Sequence, residues 1–333
     1  MSKLSVGIVG LPNVGKSTLF NALLKKQQAY VANFPFATIE PNIGVVPVHD
    51  ARLHELARVV KESESMDHNP PVIPATIQFV DIAGLIAGAH KGEGLGNKFL
   101  SHIREVDAIC HVVRAFSDED TIREGSVDPK SDFEIVKTEL DLADYEMVEK
   151  VKEKNKGVAP DDLPFFSKKP ILVVLNVDEG DLGTSSTLAE KYADELNVGK
   201  DQIVVISAKT EAELASLSEG EQKEYLSDLG AKESGLERLA KKAFATLGLI
   251  TFLTAGEKEV RAWTIRVGST ALSASGEIHT DFMDKFIKAE VVTFEDFVAN
   301  GGWKGAREAG KARLEGRDYI VQDGDVIDFK VGT

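Results

Sequence analysis

The chain has one cysteine, Cys110, in 333 residues. A single thiol cannot build an internal disulfide framework, and such sparing use points to a reducing compartment. Long apolar runs are missing too: no window approaches the roughly 18–20 consecutive apolar residues that a membrane span needs. The N-terminus, Met1-Ser2-Lys3-Leu4-Ser5-Val6, runs into a strand-like segment without the apolar stretch and small-residue cleavage site of a secretory signal. Basic residues are short against acidic ones, 39 Lys and Arg to 54 Asp and Glu, for a formal net charge of −15. That balance opposes general adhesion to nucleic acid or to anionic membrane, while a local basic face stays compatible with it. Repeats and low-complexity tracts are absent. A cytoplasmic protein with no membrane segment, and a monomer, is the expectation.

What is present is ample for folding. A hydrophobic content of 43% supplies real cores, and the length suits two domains. Strand-like runs fall at Leu4–Val9, Ile43–Val48, Ala75–Val80, Ala108–Val113, Ile171–Leu175 and Ile203–Ile206, with helical patterns such as Ser17–Lys26, Ala51–Glu62 and Thr187–Leu196 between them. Continuous runs like Ile171-Leu172-Val173-Val174-Leu175 suit strands buried on both faces. The alternation predicts an α/β three-layer domain on a mainly parallel sheet over residues 1–249. A helix over Gly235–Leu247 closes it, and a small α+β domain is expected over 250–333, with β-runs at Ala262–Val267, Ala289–Thr293 and Val326–Val331 and a helix near Phe294–Asn300.

One stretch interrupts the alternation. From Asp132 to about Asn155, Phe133, Val136, Leu140, Ala143, Met147 and Val151 recur in steps of three and four. The stripe belongs either to an amphipathic helix packed on the sheet or to a helical arm over about 132–164.

Gly10-Leu11-Pro12-Asn13-Val14-Gly15-Lys16-Ser17 matches the Gly-x-x-x-x-Gly-Lys-Ser/Thr phosphate loop, with a strand before it and a helix after it. Glycines let backbone N–H groups face phosphate oxygens, and the helix start adds partial positive charge. Lys16 is placed to reach the β- and γ-phosphates and Ser17 to ligate Mg²⁺, so Asn13, Val14, Gly15, Lys16, Ser17 and Thr18 form the phosphate-binding set. Asp81 follows an apolar run, where a second Mg²⁺-shell group belongs. Asp-x-x-Gly spacing then brings the Gly84 N–H to the γ-phosphate. Thr38 lies where a first switch segment would complete the metal shell, although a loop threonine also serves as a plain turn residue. The residue after Gly84 is Leu85, where Ras-type GTPases hold a water-orienting Gln; leucine has no polar atom for that task.

Base recognition belongs to later loops. Asn176-Val177-Asp178-Glu179 stands where GTPases carry Asn-Lys-x-Asp, and Ile206-Ser207-Ala208-Lys209 fits the last nucleotide loop, with Ser207 and Ala208 at the base. Glu at the fourth position cannot repeat the paired carboxylate contact to guanine without the base shifting. Lost guanine preference is the physical reading.

Together these residues resemble the Obg-like ATPase (YchF) family of P-loop proteins related to translation factors, over nearly the whole chain. The segments Asn33–Asn42, Asp81–Leu85 and Gly92–Asn97 carry the likeness, and Val260–Thr264, His279–Phe282 and Asp323–Val326 look like its ubiquitin-like TGS domain. The resemblance implies an ATPase that prefers ATP through Asn176 and Glu179, a hydrophobic residue (Leu85) in place of the catalytic Gln, and ribosome association. It also implies that Asn13 accompanies K⁺-dependent hydrolysis, so that Lys16, Gly84 and Asn13 form the catalytic set. Two departures stand out: the helical arm is shorter than in the family, and Arg123 stands where members often carry His. A GTPase switch and a nucleotide-dependent binding module remain the rivals. In the second domain Lys304, Arg307, Lys311, Arg313 and Arg317 against Glu308 and Glu315 give a local charge of +3. Ribosomal RNA contact and a merely solvated face both fit that stretch, and His279 is either an RNA contact or a hydrogen-bonded turn residue.

Overall fold

Apolar runs become the strands, and the connections between them become helices. The computed structural model describes residues 4–33, 42–82, 95–117, 128–153 and 163–332. In chain order these form β1 (Ser5–Val9), α1 (Lys16–Asn33), β2 (Ile43–Pro47), α2 (Arg52–Ser63), β3 (Val72–Ile73), β4 (Thr76–Asp81), α3 (Leu95–Glu105) and β5 (Ala108–Arg114). There follow α4 (Pro129–Glu153), β6 (Ile171–Asn176), α5 (Ser185–Leu196), β7 (Ile203–Ile206), α6 (Ala208–Leu214), α7 (Glu219–Asp228) and α8 (Gly235–Thr246). Last come β8 (Leu249–Ala255), β9 (Val260–Arg266), α9 (Ala271–Ile278), α10 (Thr280–Lys285), β10 (Phe286–Thr293), α11 (Phe294–Ala299), α12 (Trp303–Glu308), β11 (Arg313–Glu315) and β12 (Asp325–Val331).

The elements gather into two compact units, one from 3–46 with 77–247 and one from 47–76 with 248–333. The first holds a six-stranded sheet in the order β2-β4-β1-β5-β6-β7. The pairs β1–β4, β1–β5, β5–β6 and β6–β7 are parallel. Every residue of β1 and of β5 is buried, as central parallel strands covered on both faces require. On one face α3, α4 and α5 pack through Phe99, Ile103, Val136, Leu140 and Ala193. On the other, Gly235 of α8 meets Ile206, and Leu23 of α1 meets Gly44. This is the expected three-layer arrangement.

The described part of the presumed arm behaves differently from a projecting element. Phe133, Val136, Leu140 and Ala143 of α4 are buried against the sheet, and the Asp144 carboxylate accepts from Phe166 N and Ser167 N at 2.8 and 2.9 Å. The stripe is therefore a core-facing helix face up to at least Met147. Residues 154–162 lie outside the described set.

The second unit corrects the linear division at 249/250. Its sheet runs β11-β10-β12-β8-β9-β3, so the 47–76 segment contributes a strand to it. β8 and β9 pair as an antiparallel hairpin, and β12 pairs β10 antiparallel and β8 parallel. One face packs on α9 around Phe252, Ile265, Ala274, Val291, Ile327 and Phe329. The other receives α2, whose Leu53, Leu56, Ala57, Val59 and Val60 are all buried. Arg52 pins the segment in place: it grips Asp50 with three bonds of 2.8–3.1 Å and reaches Asp323 and Thr251 at 2.9 and 3.0 Å. An amphipathic α2 was legible; the sheet it covers was not.

Candidate functional site

The loop after β1 is shaped by three backbone conformations that ordinary side chains avoid. Gly10, Asn13 and Gly15 have φ of 152°, 61° and 94°. Asparagine tolerates the left-handed region, and Asn13 is exposed on the loop. The two glycines are also needed for space. A Cβ at Gly10 would stand 2.4 Å from Val112 O, and one at Gly15 would stand 2.1 Å from Asn176 Nδ2. The loop thus lies tight against the ends of β5 and β6, and α1 opens directly from it at Lys16.

Lys16 is nearly buried, at 9% exposure, and its ammonium donates to Leu11 O at 2.6 Å. Burial pulls its pKa down, opposed by the charge of Asp81. Asp81 is affected in the opposite direction: burial raises its carboxyl, and Lys16 counters. An ammonium with two further protons to donate, held where water is scarce, gains strongly from an anionic ligand. Ser17 and Thr18 are exposed in the first turn of α1, Val14 is buried beneath the loop, and the helix start adds its dipole.

The two loops expected to hold the base are tied together by Asn176. Its Nδ2 donates to Val14 O at 3.0 Å and its Oδ1 accepts from Ala208 N at 2.9 Å. The amide is thereby used on both sides and buried, so Asn176 positions the phosphate loop against the 207–208 loop. The Ser207 hydroxyl caps α6, accepting from Thr210 N and Thr210 Oγ1. The Val177 side chain is buried in the core beside α5, leaving only its backbone for a ligand. Glu179 is exposed, and its carboxylate accepts from Tyr225 Oη at 2.9 Å. Asp178 turns to Ser117, accepting from its N and Oγ, each at 2.9 Å. Asn13, Lys16, Ser17, Thr18 and Asp81 are thus gathered at the ends of β1 and β4, and Asn176, Glu179, Ser207 and Ala208 at the ends of β6 and β7. Thr38, Gly84, Leu85 and Arg123 lie outside the described residues.

Two partners escaped sequence reasoning. Tyr225 lies 46 residues from Glu179 and Ser117 lies 61 from Asp178, and no local motif marks either. Beside the loop, His111 is fully buried, stacked on Phe133 at 5.2 Å, and burial drives its pKa down to about 3. It is a neutral core residue.

In the second unit the basic stretch is largely spoken for. Arg307 grips Glu290 with bonds of 2.7 and 2.8 Å, Lys311 pairs with Asp296 at 3.3 Å, Arg313 with Glu315 at 3.6 Å, and Arg317 donates to Phe286 O at 3.3 Å. Much less free positive charge is presented than the local count of +3 implies. His279 is a turn residue whose Nδ1 accepts from Asp281 N at 3.3 Å.

Comparison with known proteins fits this geometry. Residues 5–177 match the MMR_HSR1 family, described as a 50S ribosome-binding GTPase, and residues 249–332 match the YchF-GTPase_C family, described as a protein of unknown function. The chain is 46% identical over 373 residues to a Bacillus subtilis protein named Ribosome-binding ATPase YchF, covering 98% of this chain and 99% of that one. It is 40% identical to Obg-like ATPase 1 of Pongo abelii, over 100% of this chain and 93% of the other. The solved structure described as the Schizosaccharomyces pombe YchF GTPase superposes with a TM-score of 0.80 at 33% identity, over 98% of each chain. The alignment with the B. subtilis protein exceeds this 333-residue chain by 40 positions, so that relative carries segments with no counterpart here.

Proposed function

The chain belongs to the YchF family, and from that premise we propose that it binds ATP in preference to GTP, hydrolyses it, and works as a ribosome-associated switch in the cytoplasm. The names of relatives divide between ATPase and GTPase, so the base loop decides. The observation that carries the ATP reading is Glu179, an exposed carboxylate at the fourth position of the loop. Val177 stands where GTPases hold Lys, and it is buried. In GTPases the shorter Asp pairs with the N1–H and amino group of guanine. The longer Glu179 cannot repeat that paired contact without the base shifting, whereas it needs only one donor from adenine, the exocyclic amino group.

Mg²⁺ fits the residues present. Ser17 and Asp81 offer hard oxygen donors, and among the described residues no cluster of three or more His, Cys, Asp or Glu could cage a metal alone. Magnesium prefers such sites, keeping one or two protein oxygens and taking the rest from phosphates and water. Held by these oxygens, Mg²⁺ would supply positive charge against that developing on the transferred phosphoryl group. Thr38 is proposed as the third ligand. Lys16 holds the transferred phosphoryl, and the Gly84 N–H is proposed to meet the γ-phosphate. With Leu85 in the water-orienting position, hydrolysis is slow until a partner or a monovalent cation contributes. We assign that cation as K⁺, held near the phosphates with help from Asn13.

Single-turnover hydrolysis tests the enzyme reading. K⁺ in place of Na⁺ is expected to raise the rate about tenfold or more, and Asn13→Ala to remove the difference. No phosphate release with K⁺ and ribosomes present would leave a binding module instead.

A further inference from the structure

Tyr225 touches the base site from outside both motifs. It lies on α7, and its hydroxyl donates to Glu179 Oε1 at 2.9 Å while standing 3.3 Å from Glu213 Oε2. Glu213 belongs to α6, the helix that Ser207 caps and Ala208 opens. A phenol has one proton to give, so the shorter contact is the donated bond and Glu213 is the competing acceptor. Asn176 ties the 207–208 loop to the phosphate loop on the inner side; Tyr225 ties α7 to the Glu179 turn on the outer side. The Glu179 bond is the main reason the phenol pKa is pushed up to about 12, and the hydroxyl therefore stays a donor across the neutral range.

Glu179 needs such a partner. It starts a short 3-10 helix, Glu179–Thr184, in which no residue is buried, and among the described residues its carboxylate takes a hydrogen bond from Tyr225. A free glutamate samples many rotamers and loses that freedom when a base binds. We infer that Tyr225 is a specificity-determining positioning residue, holding the Glu179 carboxylate through Oε1 so that Oε2 accepts from the amino group of adenine. The inference rests on the proposed role of Glu179 as base reader.

The test is a set of ATP and GTP titrations on the full chain, on Glu179→Gln, on Tyr225→Phe and on the double variant. Tyr225→Phe is expected to weaken ATP binding about three- to tenfold, the range of one net hydrogen bond, and to leave GTP binding and the thermal midpoint nearly unchanged. In the Glu179→Gln background, Tyr225→Phe is expected to add nothing, since the two act through one contact. Equal weakening of ATP and GTP would mark a merely structural tyrosine and overturn the proposal. So would an unchanged ATP-to-GTP ratio in Tyr225→Phe alongside a collapsed ratio in Glu179→Gln, an outcome that spares the base reading. If Glu179→Gln itself leaves the ratio unchanged, the base reading falls and the role of Tyr225 falls with it.

Discussion

Replacing Lys16 with alanine is expected to weaken ATP binding by about 100-fold or more, a loss of about 2.8 kcal/mol, while the fold survives. The two halves of this result have separate causes. Binding suffers because the nearly buried ammonium is the proposed charge-assisted donor to the phosphate oxygens. Stability does not suffer, because the folded chain gives Lys16 little in return for its desolvation: one bond to Leu11 O and the charge of Asp81. Alanine removes that desolvation, and the position opens α1, where alanine is well tolerated. Titration with ATP checks the first half and a thermal melt the second. Near-native affinity would refute the placement of the phosphates; a melt lowered by ten degrees would mean that Lys16 also supports the loop.

Cutting away residues 250–333 alone is expected to give insoluble protein, not an isolated nucleotide-binding unit. The cut leaves α2 without the sheet it covers, exposing Leu53, Leu56, Ala57, Val59 and Val60. Leu53, Leu56, Val59 and Val60 each contribute about 1.5–3 kcal/mol on burial, and with Ala57 they form an adhesive stripe. A second excision removes the difficulty. Val48 N donates to Ala75 O at 2.8 Å, so the ends of the 49–74 segment lie side by side and a short turn can join them. Deleting 250–333 together with 49–74 is expected to yield soluble protein that binds ATP within about threefold of the full chain. The same protein is expected to co-sediment poorly with ribosomes if the second unit is the docking element. Solubility of the simple truncation, measured by sedimentation, would contradict the shared core.

The six strands of the nucleotide sheet and the phosphate loop were legible because their signals are local: unbroken apolar runs, and glycines at fixed spacing between a strand and a helix. The division into units was not. The stripe Leu53, Leu56, Ala57 and Val60 declares a buried helix face, but its partner strands begin nearly two hundred residues later, and periodicity carries no address. The stripe on α4 fits an arm as well as a core helix, and what distinguishes them, Asp144 capping the turn at Phe166, is not local in sequence. The count of +3 around Lys304–Arg317 included only sequence neighbours, whereas Arg307 is neutralised by Glu290 from the adjacent strand β10. In the base loops residue types were readable and their duties were not. Asn176 and Ser207 spend their side chains on loop and helix contacts, and Val177 is core.

In the proposed function the loop ending in Glu179 selects adenine. Calorimetric titration of the full chain with ATP and with GTP, both with Mg²⁺, tests it most directly. ATP is expected to bind at least about tenfold more tightly, a difference of about 1.4 kcal/mol. Equal affinities, or tighter binding of GTP, would contradict it.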